Sequence, residues 1–219
     1  MKRITVKDTF HQFLGAYLSM DGPLLLTIRH LFSRPGIVTR SFIEGRRQQY
    51  YKPVSYFIVL TAIYIILRSI LSYDPLKDQI VAVPDGNPES IKENAKLAAQ
   101  YMVMNIDNFL LILVLSFAAG MKLFFGKRYN YAEFLSMSFY TVGQYILMGT
   151  FIMIVQDLLE VRQNQLQLLI LAGYMMHVMA STLANRKWYR WLAYLACALF
   201  SILLYVNLSF LIAYFIVTT

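Results

Sequence analysis

The sequence predicts an all-α integral membrane protein with five transmembrane helices, preceded by short amphipathic, interfacial helices. Hydrophobic residues make up 58% of the 219 residues and charged residues only 15%, which is too apolar for a soluble domain of this length. The apolar residues also form runs long enough to cross roughly 30 Å of hydrocarbon at about 1.5 Å per helical residue. Because the runs are continuous and not alternating, they favour helices over strands.

The membrane domain is predicted to cover residues 54–219. Its five spans are residues 54–71, 109–125, 134–155, 166–183 and 191–217. An outer loop, 72–108, contains turn residues followed by a helix that is predicted from Glu89 through Met104. An unbroken helix from there through the second span would be roughly 57 Å long, so we expect a break near Asn105 to Asn108.

Residues 1–53 are predicted to form a separate cytoplasmic region of short helices that are too polar to span. Apolar residues recur there at the helical period, and Pro35, Gly36, Gly45 and Pro53 end one helix and begin the next. We expect this region to fold back against the inner face of the membrane domain. Its helices are predicted to lie in the interface plane, with packing under the transmembrane bundle as the alternative.

The distribution of Lys and Arg predicts the orientation, because positively charged segments stay on the cytoplasmic side. The first 53 residues contain nine cations, whereas the outer loop contains only Lys77, Lys92 and Lys96. The shorter connections alternate in the same sense. With five spans, the N-terminus is therefore predicted inside and the C-terminus outside. Arg68, near the outer end of the first span, is expected to reach the interface.

A basic and aromatic collar before the first span is the first candidate site. Its cations suit anionic head groups, although the same charges also serve as retention signals. The predicted lipid or partner contacts are Arg29, Arg34, Arg40, Arg46, Arg47, Tyr50, Tyr51 and Lys52. The sequence therefore predicts a non-catalytic membrane protein that engages anionic lipid or a membrane partner through this collar.

Three polar residues inside the predicted spans form the second candidate site. Gln144, His177 and Asn207 lie one each in spans three, four and five, and polar groups at that depth usually face the bundle interior. They predict either ordinary hydrogen bonding between helices or a polar path through a small oligomeric channel or transporter, which is the alternative function.

No signature of a common reaction class is present, so the sequence predicts no enzyme, no catalytic residue and no cofactor. His11 and His30 lack partner ligands at metal-binding spacing, so no metal site is predicted either. The predicted partners are membrane lipids, anionic ones in particular. Nucleic acid is not expected, and a homo-oligomer is left open by small residues at four-residue spacing, Ser116 with Gly120 and Ala193 with Cys197 and Ser201.

Several elements of the chain resemble the signature of an uncharacterised family of bacterial integral membrane proteins, found often in Bacteroidota. They are Thr27-Ile28-Arg29-His30-Leu31-Phe32-Ser33-Arg34-Pro35-Gly36, then Phe42-Ile43-Glu44-Gly45-Arg46-Arg47, Tyr50-Tyr51-Lys52-Pro53, Tyr56 and Tyr131-Ala132-Glu133-Phe134. The resemblance implies a multi-pass protein of the bacterial cytoplasmic (inner) membrane. In that family a zinc ribbon commonly precedes the signature; the cysteines for it are missing here, so zinc is not implied. The topology is also similar to the Yip1 superfamily of membrane-remodelling and trafficking proteins.

Overall fold

The computed structural model describes residues 22–46, 48–76, 91–159, 165–183 and 189–218, and all the regular structure in these ranges is helical. The helices are α1 (Pro23–Ser33), α2 (Pro35–Ile43), α3 (Pro53–Ile70), α4 (Ile91–Met104), α5 (Ile106–Phe125), α6 (Tyr131–Leu158), α7 (Gln165–Leu183) and α8 (Tyr189–Thr218). Prolines occupy the first turns of α1, α2 and α3, where a missing amide donor leaves no hydrogen bond unmade.

Four of these helices are long and apolar enough to cross a membrane: α3, α5, α6 and α8. The fourth predicted span is also a helix, α7, but its apolar part, Gln167–Leu183, is shorter. The structure therefore supports a multi-pass α-helical membrane protein with four candidate spans, and the fifth span stays a prediction.

The outward faces of the long helices are apolar, the reverse of a soluble protein. Large exposed side chains on α3, α5, α6 and α8 include Ile58, Ile66, Leu123, Phe151, Leu199, Leu203 and Phe215. An exposed apolar surface of this extent is unfavourable in water. It fits a bundle whose surroundings are lipid tails.

Small residues allow the closest helix contacts of the bundle. A Cβ atom at Gly120 of α5 would overlap the Ser201 hydroxyl of α8, and one at Gly143 of α6 would come within 2.8 Å of the Tyr56 ring on α3. Close backbone approach of this kind is typical of membrane helices. The small residues near Gly120 and Ser201 therefore join α5 and α8 of the same chain.

The predicted break before the second long helix is confirmed. Asn105 separates α4 from α5 with φ −112° and ψ 36°, and the amide group of its side chain donates to the Tyr101 carbonyl oxygen at 3.0 Å. On the amino-terminal side of the break, α4 packs against α8, and its Ala98 is completely buried. The part of the predicted outer-loop helix before Ile91, including Glu89, lies outside the described residues.

The two short helices α1 and α2 pack against the long ones. Helix α2 contacts α7 and α6, and α1 contacts α2 and α6. Leu31 and Val38 are fully buried in these contacts. For residues 23–43 the structure thus favours the alternative of packing against the bundle, while the predicted amphipathic helix before residue 21 lies outside the described residues.

Candidate functional site

The C-terminus of α7 is the point where the amino-terminal helices attach. The backbone amide of Gly36, at the start of α2, donates to the Ser181 hydroxyl at 2.9 Å. A Cβ atom on Gly36 would overlap the Ser181 carbonyl group, so a glycine is needed for this approach. The hydroxyl groups of Thr39 and Thr182 lie 3.0 Å apart beside it.

Two guanidinium groups cover the last carbonyl groups of α7. Arg40 donates to the carbonyl oxygens of Ser181 at 2.7 Å and Thr182 at 3.0 Å, and Arg128 donates to the Leu183 carbonyl oxygen. The last carbonyls of a helix have no partner within the helix, and they carry partial negative charge. Arg40, which was predicted as a lipid or partner contact, is half-buried, and its guanidinium lies against the end of α7.

The two tyrosines of the predicted collar also make contacts within the chain. Tyr50 is buried, and its hydroxyl lies 2.8 Å from His30 Nδ1. Burial raises the pKa of the Tyr50 phenol above its usual range, and the positive charge of Arg46 partly offsets this. The Tyr51 amide donates to the Thr27 hydroxyl at 2.9 Å, and the Tyr51 carbonyl accepts from Tyr140 at 2.6 Å. Both residues therefore fix the segment between α2 and α3.

The remaining cations of the collar are exposed. Arg29, Arg34 and Lys52 are exposed, and Arg46 is exposed with its guanidinium 2.5 Å from the Glu44 carboxylate. An exposed ion pair of this type contributes about 0–1 kcal/mol, so Arg46 can exchange Glu44 for another anion at little cost. Arg47 lies outside the described residues.

Further cations lie at the same end of the bundle. In the sequence analysis, these cations indicated only the orientation of the chain in the membrane. The contact between Arg128 and Leu183 brings the connection between α5 and α6 beside the end of α7. The last turn of α5, this connection and the start of α8 add Lys122, Lys127, Arg128 and Arg190. The basic face is defined by the exposed residues Arg29, Arg34, Arg46 and Lys52, together with Lys122, Lys127 and Arg128.

The three intramembrane polar residues are not brought together. Gln144 is fully buried, its carbonyl oxygen accepts from the Tyr56 hydroxyl, and its amide nitrogen has no hydrogen-bond partner among the described residues. His177 and Asn207 are exposed on the outside of the bundle. Asn207 donates to the Leu203 carbonyl oxygen of its own helix at 2.7 Å. Only Gln144 faces the interior, so the three residues line no common path within the chain.

Within the described ranges, no three His, Cys, Asp or Glu side chains are grouped so that they could hold a metal ion. The site is instead a helix junction, held by backbone and arginine hydrogen bonds, with cations exposed around it. The class that the fold and this site define is a multi-pass α-helical membrane protein with a docked, basic amino-terminal unit.

A family model described as "Protein of unknown function (DUF3667)" matches residues 21–65. The match covers α1, α2 and most of α3, which includes Gly36, Arg40, Tyr50 and Tyr56 of the contacts above. No curated protein and no solved structure matches the chain. The family similarity is therefore to the segment that forms the docked unit and the start of the first long helix.

Proposed function

We propose that the protein is a non-catalytic protein of the bacterial cytoplasmic membrane that engages anionic lipid through its basic face. The observation that carries the proposal is the attachment of α1 and α2 to α7. Gly36 and Arg40 of α2 donate to α7, and Tyr174 of α7 donates to Leu31 of α1, so the exposed Arg29 and Arg34 belong to a docked unit. Each cation near an anionic membrane surface contributes about 1 kcal/mol, and a fixed cation loses less entropy on binding than one on a flexible tail.

The surface around these cations also suits the membrane interface. Phe32 is 50% exposed and Ile37 is 37% exposed, and they lie in the sequence on either side of Arg34. Helices that combine exposed apolar side chains with Arg or Lys bind where acyl chains meet head groups. The basic face thus offers both an apolar and a cationic contact to a lipid.

The asymmetry of charge along the bundle supports a cytoplasmic location for this face. The described residues of the opposite end carry only Arg68, Lys92 and Lys96 as cations, and they carry the acidic residues Asp74, Glu93, Asp107 and Asp157. Because cation-rich connections stay inside, we assign the basic face to the cytoplasm. If α7 crosses the membrane as the fifth span, the C-terminus lies outside.

Lipid binding to the purified protein tests the proposal. Native mass spectrometry would compare the affinities for phosphatidylglycerol and phosphatidylcholine in the wild-type protein and in Arg29→Gln/Arg34→Gln. At about 1 kcal/mol per cation, the double variant should lose roughly 30-fold in phosphatidylglycerol affinity, with little change for phosphatidylcholine.

The matched control is Lys92→Gln/Lys96→Gln, which removes two exposed cations from α4. It should bind phosphatidylglycerol as the wild type does. An equal loss in both double variants would show that only net charge matters and would contradict a site on the basic face.

A further inference from the structure

A cavity of about 360 Å³ lies in the half of the bundle away from the basic face. It is lined by residues of α3 to α8, and most of them are apolar, such as Leu110, Leu113, Ile146, Met153 and Leu171, together with the aromatic rings of Tyr64, Tyr145 and Tyr205. At Gly149 of α6, an added Cβ atom would meet no atom within 4 Å, because that position opens into the cavity. Cavities of roughly 300–1,000 Å³ between helices are typical of ligand sites.

The outer rim of the cavity is polar. Arg68 and Gln167 line the cavity and are partly exposed, whereas Tyr73 lines it as a buried residue. The Arg68 guanidinium pairs with the Asp107 carboxylate and also donates to the Met104 carbonyl oxygen. The side chains of Arg68 and Asp107 are 16% and 25% exposed. Arg68 lines the cavity, so the ion pair lies partly exposed beside it. The sequence suggested that Arg68 reaches the interface, but gave no sign of its acidic partner.

We propose that this cavity binds one acyl chain of a zwitterionic phospholipid, whose head group lies at the Arg68–Asp107 pair. Most of the residues that line the cavity are apolar, so a hydrocarbon chain suits it better than water, since each buried water needs two to four polar partners. A hydrocarbon chain from the surrounding bilayer would make van der Waals contacts with the apolar lining, and these contacts are missing when the cavity is empty.

The charge at the rim selects the head group. Asp107 compensates the charge of Arg68, so the rim attracts an anion less than a single arginine would. A zwitterionic head group such as phosphoethanolamine offers a phosphate to the guanidinium and an ammonium to the carboxylate, both as charge-assisted hydrogen bonds. This preference is opposite to that of the basic face, so the two sites are distinguishable by head group.

Photochemical cross-linking tests the proposal. The protein in nanodiscs would be irradiated with phosphatidylethanolamine that carries a diazirine in one acyl chain, and cross-linked peptides would be mapped by mass spectrometry. We expect labels on the buried lining residues Leu113 and Leu171. Gly149→Leu places a side chain in the cavity and should reduce these labels at least tenfold.

Gly173→Leu is the matched control. Gly173 also lies in a long helix and has no atom within 4 Å of an added Cβ, but it is exposed on the outside of α7. Its cavity labels should equal those of the wild type. Equal labelling of the cavity in Gly149→Leu and the wild type would overturn the proposal.

Competition in the wild-type protein tests the head group without any variant. Unlabelled phosphatidylethanolamine should suppress the cavity labels more strongly than phosphatidylglycerol with the same chains, and Asp107→Asn should reverse the order. Equal competition by the two lipids would overturn the assigned head group. Rapid reaction of Leu171→Cys, in a Cys197→Ser background, with a water-soluble thiol reagent would show a hydrated cavity and overturn the acyl chain.

Discussion

Buried hydroxyl and amide groups connect the helices at the level of single residues. The Tyr56 hydroxyl donates to Gln144, and the Tyr73 hydroxyl donates to Gln156 at 2.9 Å. The Tyr174 hydroxyl reaches the Leu31 carbonyl oxygen at 3.1 Å. A buried polar group that loses its partner costs more than the hydrogen bond contributes, so each of these contacts specifies one arrangement of its helices.

Gln144→Leu should destabilise the fold, because it leaves the buried Tyr56 hydroxyl without its acceptor. The expected cost is about 1–3 kcal/mol, measured as a lower midpoint of thermal unfolding in detergent. Asn207→Leu is the control, since Asn207 is exposed and bonds only to its own helix. A larger loss for Asn207→Leu than for Gln144→Leu would contradict the described packing of the two side chains.

Gly36→Ala should loosen the docked unit, because the new methyl group overlaps the carbonyl group of Ser181. The displaced α2 would lose its contacts with α7, so amide hydrogen exchange through residues 24–43 should become faster. Gly173→Ala, which meets open space, should leave exchange in that segment unchanged. Slow exchange in Gly36→Ala would mean that α2 does not depend on this contact.

The residue-level contacts were only partly predictable from the sequence. Pro35 and Gly36 indicated a sharp start of α2, but the partner of Gly36 is Ser181, which is distant in the chain. A polar residue inside a span does not show which side of the helix it occupies. Asn207 was therefore expected to face the bundle interior, although its side chain donates a hydrogen bond to a carbonyl oxygen of its own helix. A count of cations also does not show that Arg40, predicted as a lipid or partner contact, covers the end of a helix.

At the scale of helices, α7 depends on groups from elsewhere in the chain. Its last three carbonyl groups accept hydrogen bonds from Arg40 and Arg128, and these charges favour the negative end of the helix dipole.

Arg40→Gln/Arg128→Gln should therefore weaken the end of α7. We expect faster hydrogen exchange in residues 176–183 and a loss of stability of about 1–2 kcal/mol, since each cation near a helix C-terminus contributes roughly 0.3–1 kcal/mol or more when partly buried. Arg34→Gln, an exposed arginine without these contacts, is the control. Unchanged exchange at the end of α7 in the double variant would show that the two guanidinium groups do not support it.

The positions of helices were more predictable than their ends. An apolar run indicates only the part of a helix that lies within the hydrocarbon layer. The run 134–155 predicted the third span, whereas the helix itself, α6, extends from Tyr131 to Leu158. Its start is fixed by reciprocal hydrogen bonds between Asn130 and Glu133, a capping box that the hydropathy pattern does not register. Turn residues, in contrast, gave good limits for α2, which ends at Ile43 before Gly45 with φ +87°.

The whole molecule has two ends of different chemistry. One end carries the docked helices and the basic face; the other carries Asp74, Glu93, Asp107 and Asp157 and the polar rim of the cavity. The sequence predicted this difference in charge between the two ends, because Lys and Arg can be counted in each segment of the chain. The cavity was not predictable, because it depends on the side chains of six helices, from α3 to α8, around one space.

The sidedness of the basic face is tested most directly by single cysteines in intact bacterial cells. Cys197 is the only native cysteine and would be replaced by serine, with Arg34→Cys or Lys92→Cys added at an exposed position. A membrane-impermeant thiol reagent should label Lys92→Cys from outside and Arg34→Cys only after the cells are opened. Labelling of Arg34→Cys from outside, with Lys92→Cys protected until the cells are opened, would contradict a cytoplasmic basic face.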